Sequence, residues 1–194
     1  MIAADSLHAR LKTATHDLHQ ATEAAFDPER RLTSMALYVD LLDRLWSLHA
    51  GVERALGAHG PSLFGLDLEP LRRSPMLALD LEATSGRAPR LAPVASTYPS
   101  SFAALGGLYV LEGSTLGGRV LFRRARASLG LADPPGTRFF DGAGSDTGPR
   151  WRAFLETLAR LPARGDIADQ AEAGACATFA AFRDRFAEGS AVEA

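Results

Sequence analysis

Residues 101–130 read SFAALGGLYVLEGSTLGGRVLFRRARASLG, and this stretch sets two signals against each other. Its apolar residues recur with helical spacing, yet Gly106, Gly107, Gly113, Gly117 and Gly118 stand inside it. Each glycine in an exposed helix interior costs about 1 kcal/mol relative to alanine, so a helix here gives up roughly 4 to 5 kcal/mol unless something compensates. At about 100° per residue, Gly106, Gly113 and Gly117 fall in a narrow arc of one face, with Tyr109 flanking it. A face of nearly bare backbone admits a close neighbour: another helix packed on small residues, or a flat ligand lying across the backbone. Spacing leaves both open.

Around this stretch lie 194 residues, 46 % of them apolar, enough for one well-buried core, and we expect a single domain over 1–194. Leucine (28) and alanine (35) dominate over six valines and two isoleucines, which disfavours an extensive sheet and predicts an all-α chain. The formal net charge is -2 and no basic block stands apart from balancing acids, so nucleic acid is not an expected partner. Arg123, Arg124 and Arg126 read as the solvated end of a helix. Cys176 is the only cysteine, which excludes an intrachain disulfide and reads as a small core residue. With no long uncharged apolar run and no signal-like start, the expectation is a soluble cytoplasmic protein without a membrane segment.

Along the chain, Leu7, Leu11, Ala14, Leu18, Ala21 and Ala25 step by three and four, predicting one amphipathic helix from Asp5 to Phe26. A second helix is expected from Thr33 to Gly57, a shorter one from Pro70 to Thr84, then an extended tether marked by Pro89, Pro93 and Pro99. After Gly130 comes a turn-rich segment in which Phe139 and Phe140 offer an anchor to the core. Helices over Pro149–Leu161 and Asp166–Glu188 close the chain, the last burying Ala173, Cys176, Ala177, Ala180 and Phe179 or Phe182.

Candidate chemistry concentrates on the first helix. His16 points away from the leucine stripe, whereas His19 sits at the edge of the buried face. Seven positions earlier is Lys12, the only lysine, on the same edge about 10 Å away; four positions later is Glu23, placed to orient the imidazole and raise its basicity toward a metal. No HExxH, CxxC or repeated ExxH occurs, and Asp5 with His8 is a lone i,i+3 pair, so neither zinc nor a di-iron centre is indicated. Ser114 lacks a nucleophile elbow, and Gly113–Gly118 lacks the ending of a phosphate loop. A metal that arrives with most of its ligands attached, needing one imidazole, a flat gap and a positive group for peripheral acids, fits what remains; haem meets those conditions.

The motifs LKTATHDLHQATE (11–23), LGGLYVLEGSTLGGRVL (105–121) and FFDGAGSDTGPRWRAF (139–154) resemble those of the haem oxygenases, over nearly the full length and with the bacterial, biliverdin-forming, phytochrome-associated branch as the nearest likeness. The resemblance implies a single-domain multi-helix bundle in which haem (iron protoporphyrin IX) is both cofactor and substrate. It implies His19 as the iron ligand, steadied by Glu23. Lys12 and Tyr109 would meet the haem propionates, with weaker help from Arg150 or Arg152. Gly113, Ser114 and Gly117 would form the catalytic face of a kinked distal helix, with Gly118 beside them against the ring.

Ser114 stands where mammalian relatives carry an aspartate, and Val110 replaces a nearby arginine; Ser114 and backbone carbonyls are then expected to organise the waters that supply protons. The implied reaction consumes O2 and opens the ring to biliverdin, carbon monoxide and ferrous iron, at the alpha meso carbon by similarity. Electrons would come from an external ferredoxin or reductase, since no flavin or nicotinamide fingerprint is present, and a bacterial phytochrome is a candidate biliverdin acceptor. Two other readings stay open on sequence: a haem carrier or sensor that does not degrade its ligand, and a helical interaction module whose glycine stripe packs on a partner.

Overall fold

The computed structural model describes residues 6–131 and 136–189. Asp5, expected to start the first helix and to pair with His8, lies outside the described residues, as do positions 132–135 of the turn-rich segment. Among the described residues the regular secondary structure is helical apart from one minimal ribbon, as the leucine and alanine content predicts. The helices are α1 (Leu7–Ala14), α2 (His16–Phe26), α3 (Pro28–Arg31), α4 (Met35–Gly57), α5 (Ser74–Ser85), α6 (Ser101–Leu129), α7 (Arg138–Asp141), α8 (Thr147–Ala159) and α9 (Asp166–Ala187). The ribbon pairs β1 (Ser62–Leu63) with β2 (Leu66–Asp67) antiparallel, around a turn in which Phe64 and Gly65 take φ of 51° and 85°.

The expected first helix is divided. Thr15 leaves helical geometry at ψ 0°, and its hydroxyl donates to the Leu11 carbonyl at 2.8 Å. The break rotates the faces: Leu7 and Leu11 are buried, but Ala14 and Ala21 are exposed and Thr22 is the buried residue of α2. Further boundaries shift for local reasons. Ser34 caps α4, accepting from the Leu37 amide at 3.3 Å, so that helix begins at Met35. Glu69–Leu71 forms a separate tight turn, and α5 starts only at Ser74 with Pro75 in its first turn. The final helix buries Ala171, Gly174, Ala175, Thr178, Phe179, Phe182 and Phe186, while Ala173 and Ala177 are exposed and Cys176 is half-buried with its thiol toward the Ala14 carbonyl.

The last helix takes that face because α6 packs along α9 with Gly106 and Gly174 at the crossing, where neither backbone leaves room for a Cβ. The tether 86–100 is extended as expected but tied to α4: Asp43 accepts from the Arg90 amide and Arg87, and Ser47 exchanges hydrogen bonds with Ala92 and Val94. Phe140 is buried and Phe139 half-buried, anchoring the turn-rich segment. They are held there by fully buried Asp80 on α5, which accepts from the amides of Gly136, Arg138 and Phe139 at 3.2, 3.0 and 2.8 Å. Among the described residues no helix is long and apolar enough to cross a membrane.

Candidate functional site

Between α1–α2 on one side and the second half of α6 on the other lies a cavity of about 740 Å³, closed at the back by α4, α7 and α9. Its volume falls in the range of ligand and cofactor pockets, roughly 300–1,000 Å³. Of the two alternatives left open by the glycine stripe, helix packing is realised at one level of α6, while at another level the bare backbone faces open space. Gly106 meets α9; Gly117 meets nothing, since a Cβ there would have no neighbour within 4 Å. Gly113 would set a Cβ in ordinary contact with Trp151 at 3.7 Å. Gly118 borders the cavity too, but its missing Cβ makes room for the Phe140 carbonyl, 2.9 Å away.

His19, Glu23 and Lys12 all line the slot. His19 Nδ1 lies 3.7 Å from Glu23 Oε2, beyond a direct hydrogen bond, so the carboxylate acts as a nearby charge or through one water. The imidazole stands edge-on to Phe179, ring centroids 5.4 Å apart, and Thr22 next on the helix donates to the Phe179 carbonyl, fixing α2 on α9 beneath the ring. Nε2 has no partner among the described residues. His19 is more than half exposed because the cavity, not another helix, faces it. His16 also reaches the cavity rim, where it is 3.0 Å from Gln20, rather than pointing away.

On α6, Tyr109 is half-buried; burial raises its pKa against an opposing hydrogen bond with Thr15, so the hydroxyl stays a donor at neutral pH. Ser114 is exposed to the slot, and its hydroxyl donates to the Leu111 carbonyl at 2.7 Å, as Thr115 does to Glu112. Such back-bonding favours helix bending, while α6 continues as one element to the Gly130 cap. The hydroxyl oxygen of Ser114 keeps its lone pairs for a water.

Arg152 is a correction. It does not line the cavity: it is exposed on α8, with its guanidinium alongside Gly148 of the same helix, because Trp151 and Phe154 take the inward face. Arg150 is likewise spent on the Pro70 carbonyl at 2.9 Å.

Sequence reasoning missed the deep wall. His49 is 1 % exposed, lines the cavity, and neither ring nitrogen has a hydrogen-bond partner among the described residues. It lies edge-on to Phe139, with Glu53 Oε1 3.5 Å from Nδ1. Burial works to raise the Glu53 pKa, but His49, the Ser74 hydroxyl and the Arg73 amide together hold it below the usual carboxylate value. Glu112, also buried, has its pKa raised by burial against the pull of Arg150, Arg73 and His49. The one sequence cue was a histidine set among Leu45, Leu48 and Val52 on an otherwise apolar face. His8 and Trp151, at the Tyr109 end of the slot, were also not singled out as binding residues.

Residues 5–188 match the family model described as heme oxygenase. A protein of Xanthomonas campestris pv. campestris (strain 8004), described as heme oxygenase, is 39 % identical over 147 residues, covering 75 % of this chain and 86 % of that protein. The NO- and CO-bound heme oxygenase of Neisseria meningitidis superposes with a TM-score of 0.77 at 25 % identity, covering 96 % of each chain. The heme oxygenase of Leptospira interrogans gives 0.77 at 20 % identity, over 95 % of this chain and all of that one, a likeness of fold.

Proposed function

The chain belongs to the heme oxygenase family, and on that premise we propose that His19 is its single iron ligand and that the slot between α2 and Gly113–Gly117 seats the haem. The activity is that of the family: oxygen-dependent opening of haem to biliverdin, carbon monoxide and iron. The observation that carries the site assignment is that His19, whose Nε2 has no partner among the described residues, lines a cavity whose far wall at Gly117 is bare backbone. A roof without side chains admits a flat macrocycle, and the aromatic back wall of Phe139, Phe140, Phe179 and Phe182 suits its apolar face.

When bound, haem supplies the oxygen chemistry; the protein supplies geometry, dryness and protons. Glu23, 3.7 Å from Nδ1, would orient the imidazole through its charge or through one water. Lys12 and Tyr109 hold acid groups at the ring edge. Gly113 and Gly117, which carry no side chains, would let the α6 backbone lie close to the face of the ring. Ser114 anchors water at that face, and His49 holds water and exchangeable protons at the deep end.

Among the described residues, α1, α2 and α4 to α9 all draw on one hydrophobic cluster, which supports the reading of a single domain over 1–194. The bacterial biliverdin-forming branch, an external ferredoxin or reductase as electron donor, and a phytochrome as acceptor of the product belong to the same proposal, carried by the sequence motifs. The test is a haem titration followed by reductant and oxygen. Wild type is expected to develop a Soret band at one haem per chain and convert it to biliverdin absorption, and His19→Ala to lose the conversion. Unchanged turnover in His19→Ala would reject the ligand assignment.

A further inference from the structure

At one end of the slot, His8 and Lys12 on α1, Tyr109 on α6 and Trp151 on α8 converge. The rings form a cluster: His8 lies 6.0 Å from Tyr109 and 5.9 Å from Trp151, edge-on at 84°, and Tyr109 lies 5.9 Å from Trp151. Rings packed only for burial usually satisfy their polar heads within the protein. Here, among the described residues, nothing accepts from the Trp151 indole, nothing bonds the His8 imidazole and no carboxylate pairs with Lys12. Nearby cations differ: Arg10 is paired with Glu172 and Asp169, and Arg124 with Glu29.

Burial, and then the charge of Lys12 one turn away, depress the His8 pKa, so the imidazole is neutral near pH 7. The corner therefore offers one permanent positive charge and several neutral donors. One carboxylate matches it: its single negative charge balances Lys12, and its two oxygens accept from the imidazole and the indole, while the Tyr109 phenol, bonded to Thr15, walls the corner.

We propose that His8 and Trp151 complete, with Lys12 and Tyr109, a corner that binds one carboxylate of the tetrapyrrole, and that His8 thereby fixes the rotation of the ring in the slot. The inference rests on haem occupying the cavity and extends that reading from the iron to the ring edge. An iron–imidazole bond is an axle about which a nearly square macrocycle can turn; a second fixed point at the rim stops the turning and selects which meso carbon lies under the Gly113–Gly117 roof.

Metal-free protoporphyrin IX and its dimethyl ester, titrated into the intact protein and followed by porphyrin fluorescence, separate this corner from the iron ligand. His8→Ala is expected to weaken the free acid about tenfold and to leave the ester unchanged. His8→Gln, which keeps an N–H donor, is expected to recover most of the loss. In the haem-loaded protein, His8→Ala is expected to broaden the mixture of biliverdin isomers. Equal weakening of acid and ester marks a packing role and overturns the proposal, as does no weakening of either. The ester arm also reports correct folding of the variant. Failure of the His19 assignment appears separately, in the haem spectrum, and leaves the acid-to-ester comparison intact.

Discussion

Gly106 on α6 and Gly174 on α9 are reciprocal partners. A Cβ at Gly106 would fall 1.9 Å from the Ala171 carbonyl oxygen, and one at Gly174 would fall 1.9 Å from the carbonyl oxygen of Ala103. Each helix thus presents a glycine to the other's backbone, and the contact clamps the first half of α6 while its second half stands off to form the slot. Gly106→Ala is expected to destabilise by about 3 kcal/mol, the upper end for overpacking against a backbone that does not yield. Gly117→Ala has open space and is expected to gain up to about 1 kcal/mol from helix propensity while weakening haem binding. Urea denaturation without haem, set beside haem titration, checks both; equal stabilities for the two variants would contradict this division of the glycines.

Glu23 and His19 give a second expectation. Since the carboxylate lies 3.7 Å from Nδ1 and is exposed, its influence on the ring is electrostatic and not rigid. Glu23→Gln is expected to retain haem and turnover but to lower iron affinity about tenfold, the low end for groups that support a metal-bound histidine. Free imidazole added to His19→Ala is expected to restore a six-coordinate or five-coordinate spectrum that Glu23→Gln does not need. Competition with apomyoglobin for haem measures the affinity.

His49 brings stability and function into conflict. A ring that is 1 % exposed, with no hydrogen bond to either nitrogen among the described residues and only Glu53 Oε1 3.5 Å from Nδ1, costs about 1–3 kcal/mol relative to an apolar group of similar shape. His49→Leu removes that cost but also the imidazole beside Glu53, so it is expected to raise the thermal midpoint most in acid, where Glu53 no longer needs it, to leave haem binding intact and to slow ring opening. A midpoint that falls, or turnover that holds, would show that the imidazole is a packing element without a part in holding water.

The sequence foretold the helices well, because leucine and alanine at helical spacing admit few alternatives. Its errors lie where a single polar contact decides. Thr15 turns its hydroxyl onto Leu11 and splits the first helix, which no periodicity announces. Lys12, His19, Glu23, Tyr109 and the glycines were legible since they share two short segments with a regular register. The deep end was not: His49 on α4, Arg73 just before α5 and Glu112 on α6 meet only after folding. Arg152 was misassigned because one residue along a helix turns a side chain by about 100°, enough to exchange the cavity for solvent.

Glu53 contributes to the acid side of stability. It is 6 % exposed and accepts from the Arg73 amide at 2.7 Å, the Ser74 amide at 3.1 Å and the Ser74 hydroxyl at 2.5 Å, so the folded protein holds its ionised form more tightly than the unfolded chain does. Burial opposes this and is the largest single influence, yet His49 and these donors outweigh it, leaving the pKa below the ordinary value. A carboxylate whose pKa is lower in the folded state binds fewer protons there, so its contribution is complete above the unfolded pKa and fades as pH falls through the folded one. Glu53→Gln is therefore expected to cost stability at pH 7 and progressively less below the usual carboxylate range. Ser74→Ala, which removes one donor, is expected to follow the same pH course at smaller amplitude. Thermal midpoints of the three proteins across that range check the sign: a gap between wild type and Glu53→Gln that widens toward acid would mean that burial, not the hydrogen bonds, controls this carboxyl group.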